Sequence, residues 1–314
     1  MATRYIATHT VEDAHKSDIF AIAVGSKYTA STAGDGVISL WENFVPKDPI
    51  QLTEPRGCGV HHIAMDITDT FMAAVYFDGS VRTWSLESLE EIVVPAVKDI
   101  EAGWACSIAN DALTLAVSTV EGSVLVFDLQ KKELVSTLKP AQNQQAVATC
   151  VDISSDGKFV ACGLDSGRVH VYSTATGRLS YTLPCHTMSP RAVKLSPMNT
   201  LVAVAGDSET ISLFTLNGGD LIGTFVGHDS WVFALDWNLD GSLLLSVSQD
   251  GKAKIWSIED RACVSTLNDS DQPLFAGAYI RNGHGAQIIG GASQGVVTGG
   301  IDRTLRWYRE ASSK

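Results

Sequence analysis

Charged side chains are scarce in this chain, and the basic ones are the scarcer kind. Of its 314 residues only 18% are charged, with 23 Lys and Arg against 35 Asp and Glu, which gives a net charge of −12 and a pI near 5.0. Proteins that bind nucleic acid through its phosphates need a positive surface, so DNA and RNA are excluded as direct ligands. The 45% of apolar residues is enough for a large core, which excludes a disordered chain.

Long hydrophobic runs and paired cysteines are also missing. No run of about 18 apolar residues occurs that could cross a bilayer, and the first ten residues, MATRYIATHT, lack the apolar stretch of a signal peptide. The six cysteines are far apart and form no Cys-x-x-Cys pair, which favours reduced thiols over a disulfide framework or a zinc site. We therefore expect a soluble intracellular protein with no membrane partner.

A repeat of about 43 residues runs through the whole chain. An aromatic residue that closes a short alternating segment recurs seven times at intervals of 42 to 52 residues, as Trp41, Trp84, Phe127, Tyr172, Phe214, Trp256 and Tyr308. Six residues before each aromatic stands a turn residue, Asp, Glu or Ser, and at five of the seven it is followed by Gly. An acidic residue and glycine between alternating apolar residues indicate a tight hairpin, so each unit is predicted to hold three or four strands.

These units resemble the WD-repeat family, whose repeats form the four-stranded blades of a β-propeller. The best unit spans 228–257, and in the family its His228, Ser248, Asp250 and Trp256 would form a buried, hydrogen-bonded structural set. The first unit keeps part of this set but has Ala33 at the predicted serine position, and the fifth keeps His186.

The resemblance implies an all-β, seven-bladed WD-repeat propeller that forms one domain over 1–314. The family closes its ring by pairing the N-terminal strand with the last blade, here residues 4–9 beside 305–309. The last interval is about ten residues longer than the others, which predicts a mobile loop around 281–295 on the wide face.

Residues 227–275, 206–216 and the ending IDRTLRWYREAS resemble more specifically the WD-repeat subunits of the superkiller (Ski) complex in their fungal form. That resemblance implies a scaffold in 3′-to-5′ mRNA decay with the exosome, whose partners are a tetratricopeptide-repeat subunit and a helicase. In fungi it also implies a meiotic partner, a topoisomerase-like break-forming protein, and hence a location in both cytoplasm and nucleus. The alternative is a WD-repeat adaptor of another assembly, such as a ubiquitin-ligase substrate receptor or a transcription-elongation subunit.

No catalytic or cofactor-binding pattern stands out. His228, Ser248 and Asp250 are the residue types of a hydrolase triad, but fragments of the same set recur in other units, as expected of a structural feature. His61 and His62 are adjacent on a strand and should point to opposite faces, with no carboxylate or thiol at metal-ligand spacing. Nucleotide-binding glycine motifs are absent. We therefore expect a non-enzymatic protein without cofactor.

Alignment of the units predicts a binding surface on the narrow face. Seven residues occupy equivalent positions around the channel: Phe20, His61, Trp104, Thr149, Arg191, Phe233 and Phe275. Trp231 and Phe77 lie nearby, and Asp18, Asp165 and Asp207 form a rim. Large aromatics at a rim favour a protein partner, although any one of them could instead pack into a neighbouring blade. Carboxylates and aromatic rings suit a peptide with an arginine and apolar anchors. The resemblance likewise implies a Gln-Arg segment followed by a hydrophobic residue.

Overall fold

The structure, a computed structural model, describes residues 5–43, 48–53, 57–98, 100, 102–110, 113–140, 146–184, 188–280 and 295–311. Within them the chain forms seven four-stranded antiparallel sheets arranged as the blades of a propeller, as the repeat predicted.

The strands follow one another in chain order. The first three blades and the strand that precedes them comprise β1 (Tyr5–Val11); β2 (Ile19–Val24), β3 (Tyr28–Ala33), β4 (Ile38–Glu42) and β5 (Ile50–Gln51); β6 (Val60–Met65), β7 (Phe71–Tyr76), β8 (Val81–Ser85) and β9 (Glu90–Ile92); and β10 (Gly103–Ile108), β11 (Thr114–Thr119), β12 (Val124–Asp128) and β13 (Glu133–Leu138). Blades four to six comprise β14 (Ala148–Ile153), β15 (Phe159–Leu164), β16 (Arg168–Ser173) and β17 (Arg178–Pro184); β18 (Pro190–Leu195), β19 (Leu201–Gly206), β20 (Thr210–Thr215) and β21 (Leu221–Val226); and β22 (Val232–Trp237), β23 (Leu243–Ser248), β24 (Ala253–Ser257) and β25 (Ala262–Leu267). Blade seven contributes β26 (Leu274–Ile280), β27 (Gly295–Gly300) and β28 (Leu305–Glu310).

The ring is closed by the N-terminal strand, as predicted. Strand β1 pairs antiparallel with β28, from Tyr5 opposite Glu310 to Val11 opposite Leu305, and so becomes the outer strand of blade seven. Tyr5 is buried with apolar residues of blades six and seven, and the Thr8 hydroxyl donates to the Trp307 carbonyl oxygen at 3.1 Å. The chain terminus thus covers a sheet edge that would otherwise be open.

The core lies between the blades, because each sheet packs one face on the next. One buried cluster joins Ile211 and Leu213 of blade five to Leu235 and Trp237 of blade six, and the Trp237 indole donates to the Lys194 carbonyl oxygen at 3.1 Å. Such shared cores make each blade depend on its neighbours.

Side chains of one blade form hydrogen bonds with the innermost strand of a neighbouring blade. The Asp152 carboxylate accepts the Leu195 N–H at 2.8 Å and the Ser107 hydroxyl at 2.8 Å, and Asp236 accepts the Tyr279 N–H at 2.8 Å. These side chains satisfy strand-edge donors that face the channel.

Two features differ from the expected pattern or lie beyond it. One short helix, α1 (Pro95–Lys98), follows β9, where the sequence had indicated no helix. The predicted loop at 281–295 lies outside the described residues, except for Gly295, which begins β27. Among the described residues no helix is long and apolar enough to span a bilayer.

Candidate protein-binding surface

A β-bulge near the start of the innermost strand sets the narrow face of every blade. In β2, for example, the pairing with β3 skips one residue between Ile19 and Ala21. The residues skipped in the seven blades are Phe20, His61, Trp104, Thr149, Arg191, Phe233 and Phe275, the seven predicted ring positions. A bulge redirects its side chain away from the pleat. The fold therefore presents these seven side chains together around the channel mouth.

In each blade, the residue before the turn between the second and third strands lies beside the bulge of the innermost strand. The N–H of Phe77 donates to the Gly59 carbonyl oxygen at 3.0 Å, that of Asp165 to Val147 at 2.9 Å, and that of Asp207 to Ser189 at 3.0 Å. Phe77 is 51% exposed and Asp165 is exposed, so these positions form the outer part of the same face.

Seven side chains that carry an aromatic or imidazole ring form a continuous line on this face. We name this line the aromatic arc; its members are, in order, Trp231, Phe233, Phe275, Phe20, Phe77, His61 and Trp104. The distances between consecutive ring centroids along it are 6.4, 5.1, 5.7, 5.1, 5.2 and 4.5 Å. The Phe20 and Phe275 rings are stacked, whereas Phe77 meets Phe20 edge to face. The arc crosses blades six, seven, one, two and three without a break.

Two glycines allow the middle of the arc to form. A Cβ on Gly59 would lie 2.7 Å from the Gly34 Cα, and one on Gly34 would lie 2.6 Å from the Ser17 hydroxyl oxygen. Blades one and two can therefore approach closely enough for Phe20 and Phe77 to touch.

Arg191 extends the line beyond Trp231 into blade five. Its guanidinium carbon lies 5.6 Å from the centroid of the Trp231 ring, within cation–π range. Its Nε and Nη2 donate to the two carboxylate oxygens of Asp207 at 2.7 and 3.1 Å. Asp207, predicted as a rim carboxylate for a partner's arginine, is thus already paired within the chain.

The other two predicted carboxylates are differently placed. Asp18 is half-buried and Asp165 is exposed. Neither carboxylate has a side-chain hydrogen bond or salt bridge within the part of the chain that is described. They are the carboxylates of the predicted set that remain open to a cation.

His61 and His62 both face blade three, whereas alternation along the strand had placed them on opposite sides. The bulge at His61 changes the alternation, so His61 Nδ1 donates to the Trp104 carbonyl oxygen at 3.0 Å and His62 Nδ1 accepts the Cys106 N–H at 3.4 Å. Burial lowers the pKa of His61, and burial, with repulsion from a protonated His61 and from Lys194, lowers the pKa of His62 to about 3. Both imidazoles are therefore neutral at pH 7. They line the central channel of about 470 Å³, and no group of three or more potential metal ligands occurs among the described side chains.

The structural set of blade six contains Ser246 rather than Ser248, which corrects the sequence interpretation. His228 Nδ1 lies 2.8 Å from the Asp250 carboxylate, and His228 Nε2 lies 2.7 Å from the Ser246 hydroxyl. That hydroxyl also accepts the Trp256 indole N–H at 2.8 Å. Ser248 instead accepts the Asp250 N–H at 3.1 Å and donates to the Ser230 carbonyl oxygen at 3.3 Å. Ser246 is fully buried and hydrogen-bonded on both sides, so it does not present a nucleophile to a substrate.

The first blade has the same set, two residues from where the sequence placed it. Ser31 lies 2.8 Å from His15 Nε2 and accepts the Trp41 indole at 2.8 Å, while Asp35 lies 3.6 Å from His15 Nδ1. The expectation that Ala33 interrupts this set was wrong. In both units a serine, Ser31 or Ser246, stands two residues before the position assigned to the set. This shared serine is the sequence signal that could have identified the correct position. His186 of the fifth unit lies outside the described residues.

Comparisons with known proteins agree with this architecture. The family model described as WD domain, G-beta repeat, matches residues 219–257, and that of the Vps8 beta-propeller matches residues 80–224. The chain is 32% identical to Meiotic recombination protein rec14 of Schizosaccharomyces pombe over 318 aligned positions, with all of both chains covered. The chain belongs to the WD-repeat family that includes rec14. It is also 25% identical to Antiviral protein SKI8 of Saccharomyces cerevisiae, again with full coverage of both chains. This WD-repeat family is one of scaffolds and adaptors.

Proposed function

We propose that the aromatic arc is the docking site for an extended segment of a partner protein. The carrying observation is the unbroken line of seven rings, of which Phe77 is 51% and Trp231 40% exposed and the other five are half-buried. Aromatic side chains in a contiguous exposed patch are typical of binding hot spots. A monomer would gain more stability by burying them.

The chemistry of the face indicates what such a segment carries. The stacked Phe20 and Phe275 rings, with Phe77 and Phe233 on either side, offer an apolar seat for a large hydrophobic side chain. The carboxylates of Asp18, Asp165 and Asp207 on this face attract a cation, and arginine suits a surface of acids and aromatic rings best. We therefore propose a partner segment with one or two apolar anchors and an arginine.

We further propose that the protein is a non-enzymatic scaffold of a Ski-type complex, working in the cytoplasm and the nucleus. Its proposed partners are a tetratricopeptide-repeat subunit and a helicase, and in meiosis a topoisomerase-like break-forming protein. Full-length similarity to proteins named for an antiviral role and for meiotic recombination supports the scaffold role in these two kinds of assembly. The buried positions of Ser246 and His228 support the absence of hydrolytic activity.

Peptide affinity tests the docking site. The probe is an end-capped peptide with Gln-Arg followed by a phenylalanine, titrated by calorimetry into wild type, Trp231→Ala and Phe275→Ala. We expect each aromatic variant to lose about 2 kcal/mol or more, roughly a thirtyfold rise in Kd.

Leu239→Ala is the matched control. Leu239 is 56% exposed in the turn between β22 and β23, at the opposite end of the strand that carries Phe233. Its affinity should equal that of wild type. Unchanged binding in both aromatic variants, with a loss in Leu239→Ala, would place the site on the other face.

The assembly is tested separately. Tagged wild type and Phe20→Ala protein are used to purify complexes from cells, and their components are identified by mass spectrometry. We expect a tetratricopeptide protein and a helicase with wild type, and their loss with Phe20→Ala. Recovery of ubiquitin-ligase or transcription-elongation subunits instead would favour the alternative adaptor roles.

A further inference from the structure

We propose that Arg191 is an internal competitor, because it occupies the place on Trp231 and Asp207 that the arginine of a partner would take. This inference rests on the proposed docking function and concerns how tightly the arc accepts an arginine. It makes Arg191 a residue that limits affinity rather than one that supplies it.

The occupied place is built for a guanidinium. A carboxylate that accepts two parallel N–H donors and an aromatic face within cation–π range are the two features that distinguish arginine from lysine recognition. Asp207 and Trp231 provide them from blades five and six, and the contacts of Arg191 show that they suit a guanidinium.

The exposure of the two side chains in the Arg191–Asp207 ion pair shows that Asp207 is the fixed member and Arg191 the exchangeable one. The Asp207 side chain is only 13% exposed, whereas that of Arg191 is 37% exposed. No second salt bridge to Asp207 occurs among the described residues. The carboxylate thus stays in place while the cation beside it is a partly exposed side chain that can be exchanged.

Displacement of Arg191 is physically reasonable. An ion pair with an exposed member contributes little to stability, because water and salt compensate each group when it opens. The bulge at Arg191 directs its side chain away from the pleat, and the residue is exposed, so water surrounds the guanidinium when it leaves Asp207. A partner's arginine, anchored by neighbouring contacts on the arc, could then replace it.

The position of Arg191 in the ring supports the same reading. The other six bulge residues are four Phe or Trp residues, His61 and Thr149, so Arg191 is the one Lys or Arg among the seven. It stands directly at the end of the aromatic arc, where an arginine beside an anchored apolar residue would reach.

The expected size of the effect follows from competition. If Arg191 covers the site for nine-tenths of the time, the apparent Kd of an arginine peptide is about tenfold higher than that of the open site. Arg191→Ala should therefore bind the arginine peptide several-fold to about tenfold more tightly than wild type does.

The first experiment needs no partner. Methylguanidinium is titrated into ¹⁵N-labelled protein while the Trp231 indole N–H signal is followed by NMR. We expect a saturable shift in Arg191→Ala, the same shift with an about tenfold higher Kd in wild type, and none in the double variant Arg191→Ala/Asp207→Asn. An equal response of wild type and Arg191→Ala would overturn the proposal, as would no response in Arg191→Ala.

The second experiment measures competition directly. The Gln-Arg peptide and a matched peptide with citrulline in place of arginine are titrated into wild type, Arg191→Ala, Arg191→Lys and the double variant. We expect Arg191→Ala to gain affinity only for the arginine peptide, Arg191→Lys to gain less, and the double variant to lose the gain. Thermal melting of each variant separates binding changes from unfolding.

The outcomes distinguish the two proposals. If wild type binds the peptide and Arg191→Ala binds it equally or more weakly, Arg191 is a contact residue and the competitor role is wrong, while the docking site stands. If neither protein binds either peptide but methylguanidinium still binds Arg191→Ala, the proposed peptide function fails and the guanidinium site remains.

Discussion

At the residue scale, one buried serine in blade six links two side chains, the imidazole of His228 and the indole of Trp256. The Ser246 hydroxyl satisfies both His228 and Trp256, whereas Ser248 bonds two backbone groups near the surface turn. Loss of this hydroxyl leaves one buried nitrogen on each partner, His228 Nε2 and Trp256 Nε1, without its hydrogen bond.

We therefore predict that Ser246→Ala lowers the free energy of unfolding by about 2 to 3 kcal/mol and Ser248→Ala by about 1 kcal/mol. Urea denaturation followed by tryptophan fluorescence measures both. Ser248→Ala is the matched control, because it removes the same hydroxyl from the same strand. Equal losses would mean that the Ser246 contacts contribute nothing beyond those of an ordinary buried serine.

The carboxylates of these sets predict how stability depends on pH. Burial alone would raise the pKa of Asp250, but hydrogen bonds from His228 and the N–H groups of Asp229 and Lys252 outweigh it and hold the pKa well below its usual range. Burial also acts against ionisation of Asp35, yet its contacts with His15, Val37 and Lys16 lower that pKa to about 2. Groups with a depressed folded pKa stabilise the protein above their unfolded pKa and lose that effect as pH falls.

Stability should therefore be fully developed above about pH 5 and should decrease as pH falls toward 2. Asp250→Asn should be less stable at neutral pH and should show a smaller decrease with acid. Urea midpoints measured from pH 7 to 3 test this, with Asp229→Asn as control, since that carboxylate is 74% exposed. An unchanged slope in Asp250→Asn would show that another carboxyl group dominates acid unfolding.

At the element scale, the turn between the third and fourth strands of several blades requires a left-handed residue. The φ angle is positive at Leu89, Lys132, Gly177 and Arg261, in the equivalent turns of blades two, three, four and six. Gly177, at φ +64, adopts this conformation without the steric cost that a Cβ brings.

We predict that Gly177→Ala costs about 1 kcal/mol of stability. Nothing lies within 4 Å of its added Cβ, so the cost comes from the backbone alone. Gly57→Ala is the control, because its Cβ also meets nothing within 4 Å and its φ lies outside the left-handed region. It should be neutral or slightly stabilising in thermal melts. Similar melting temperatures for both variants would show that the turn of blade four tolerates the strain.

The blades could be predicted from the sequence, whereas the serine of the structural set, the bulges and the Arg191–Asp207 pair could not. The blades followed from the spacing of seven aromatics, because a repeated strand–turn pattern has few other solutions. The choice between Ser246 and Ser248 did not, since residues two apart share one face of a strand and only the pairing register separates them. The bulges at Phe20 and the six equivalent positions are set by backbone geometry that composition does not encode. The Arg191–Asp207 pair likewise depends on that geometry, so Asp207 was expected to be open.

At the scale of the whole molecule, the ring depends on a single non-sequential joint. Within the seven sheets every other neighbouring pair of strands is consecutive in the chain, but β1 meets β28 across almost the full length of the sequence. Loss of the β1–β28 pairing should therefore destabilise blades one, six and seven together, because these blades share buried clusters.

The last prediction concerns this joint. Removal of residues 1–11 deletes β1, exposes the outer edge of β28 and takes Tyr5 from its buried place beside Leu245 and Tyr308. The truncated protein should melt at a clearly lower temperature and should self-associate through the open edge, as size-exclusion chromatography with light scattering would show. Two point variants resolve the contribution of packing: Tyr5→Ala, at 7% exposure, should cost about 3 kcal/mol, whereas Ile6→Ala, at 42% exposure, should cost less than about 1 kcal/mol. A truncated protein that stays monomeric and melts like wild type would mean that the six complete blades hold the ring without its N-terminal strand.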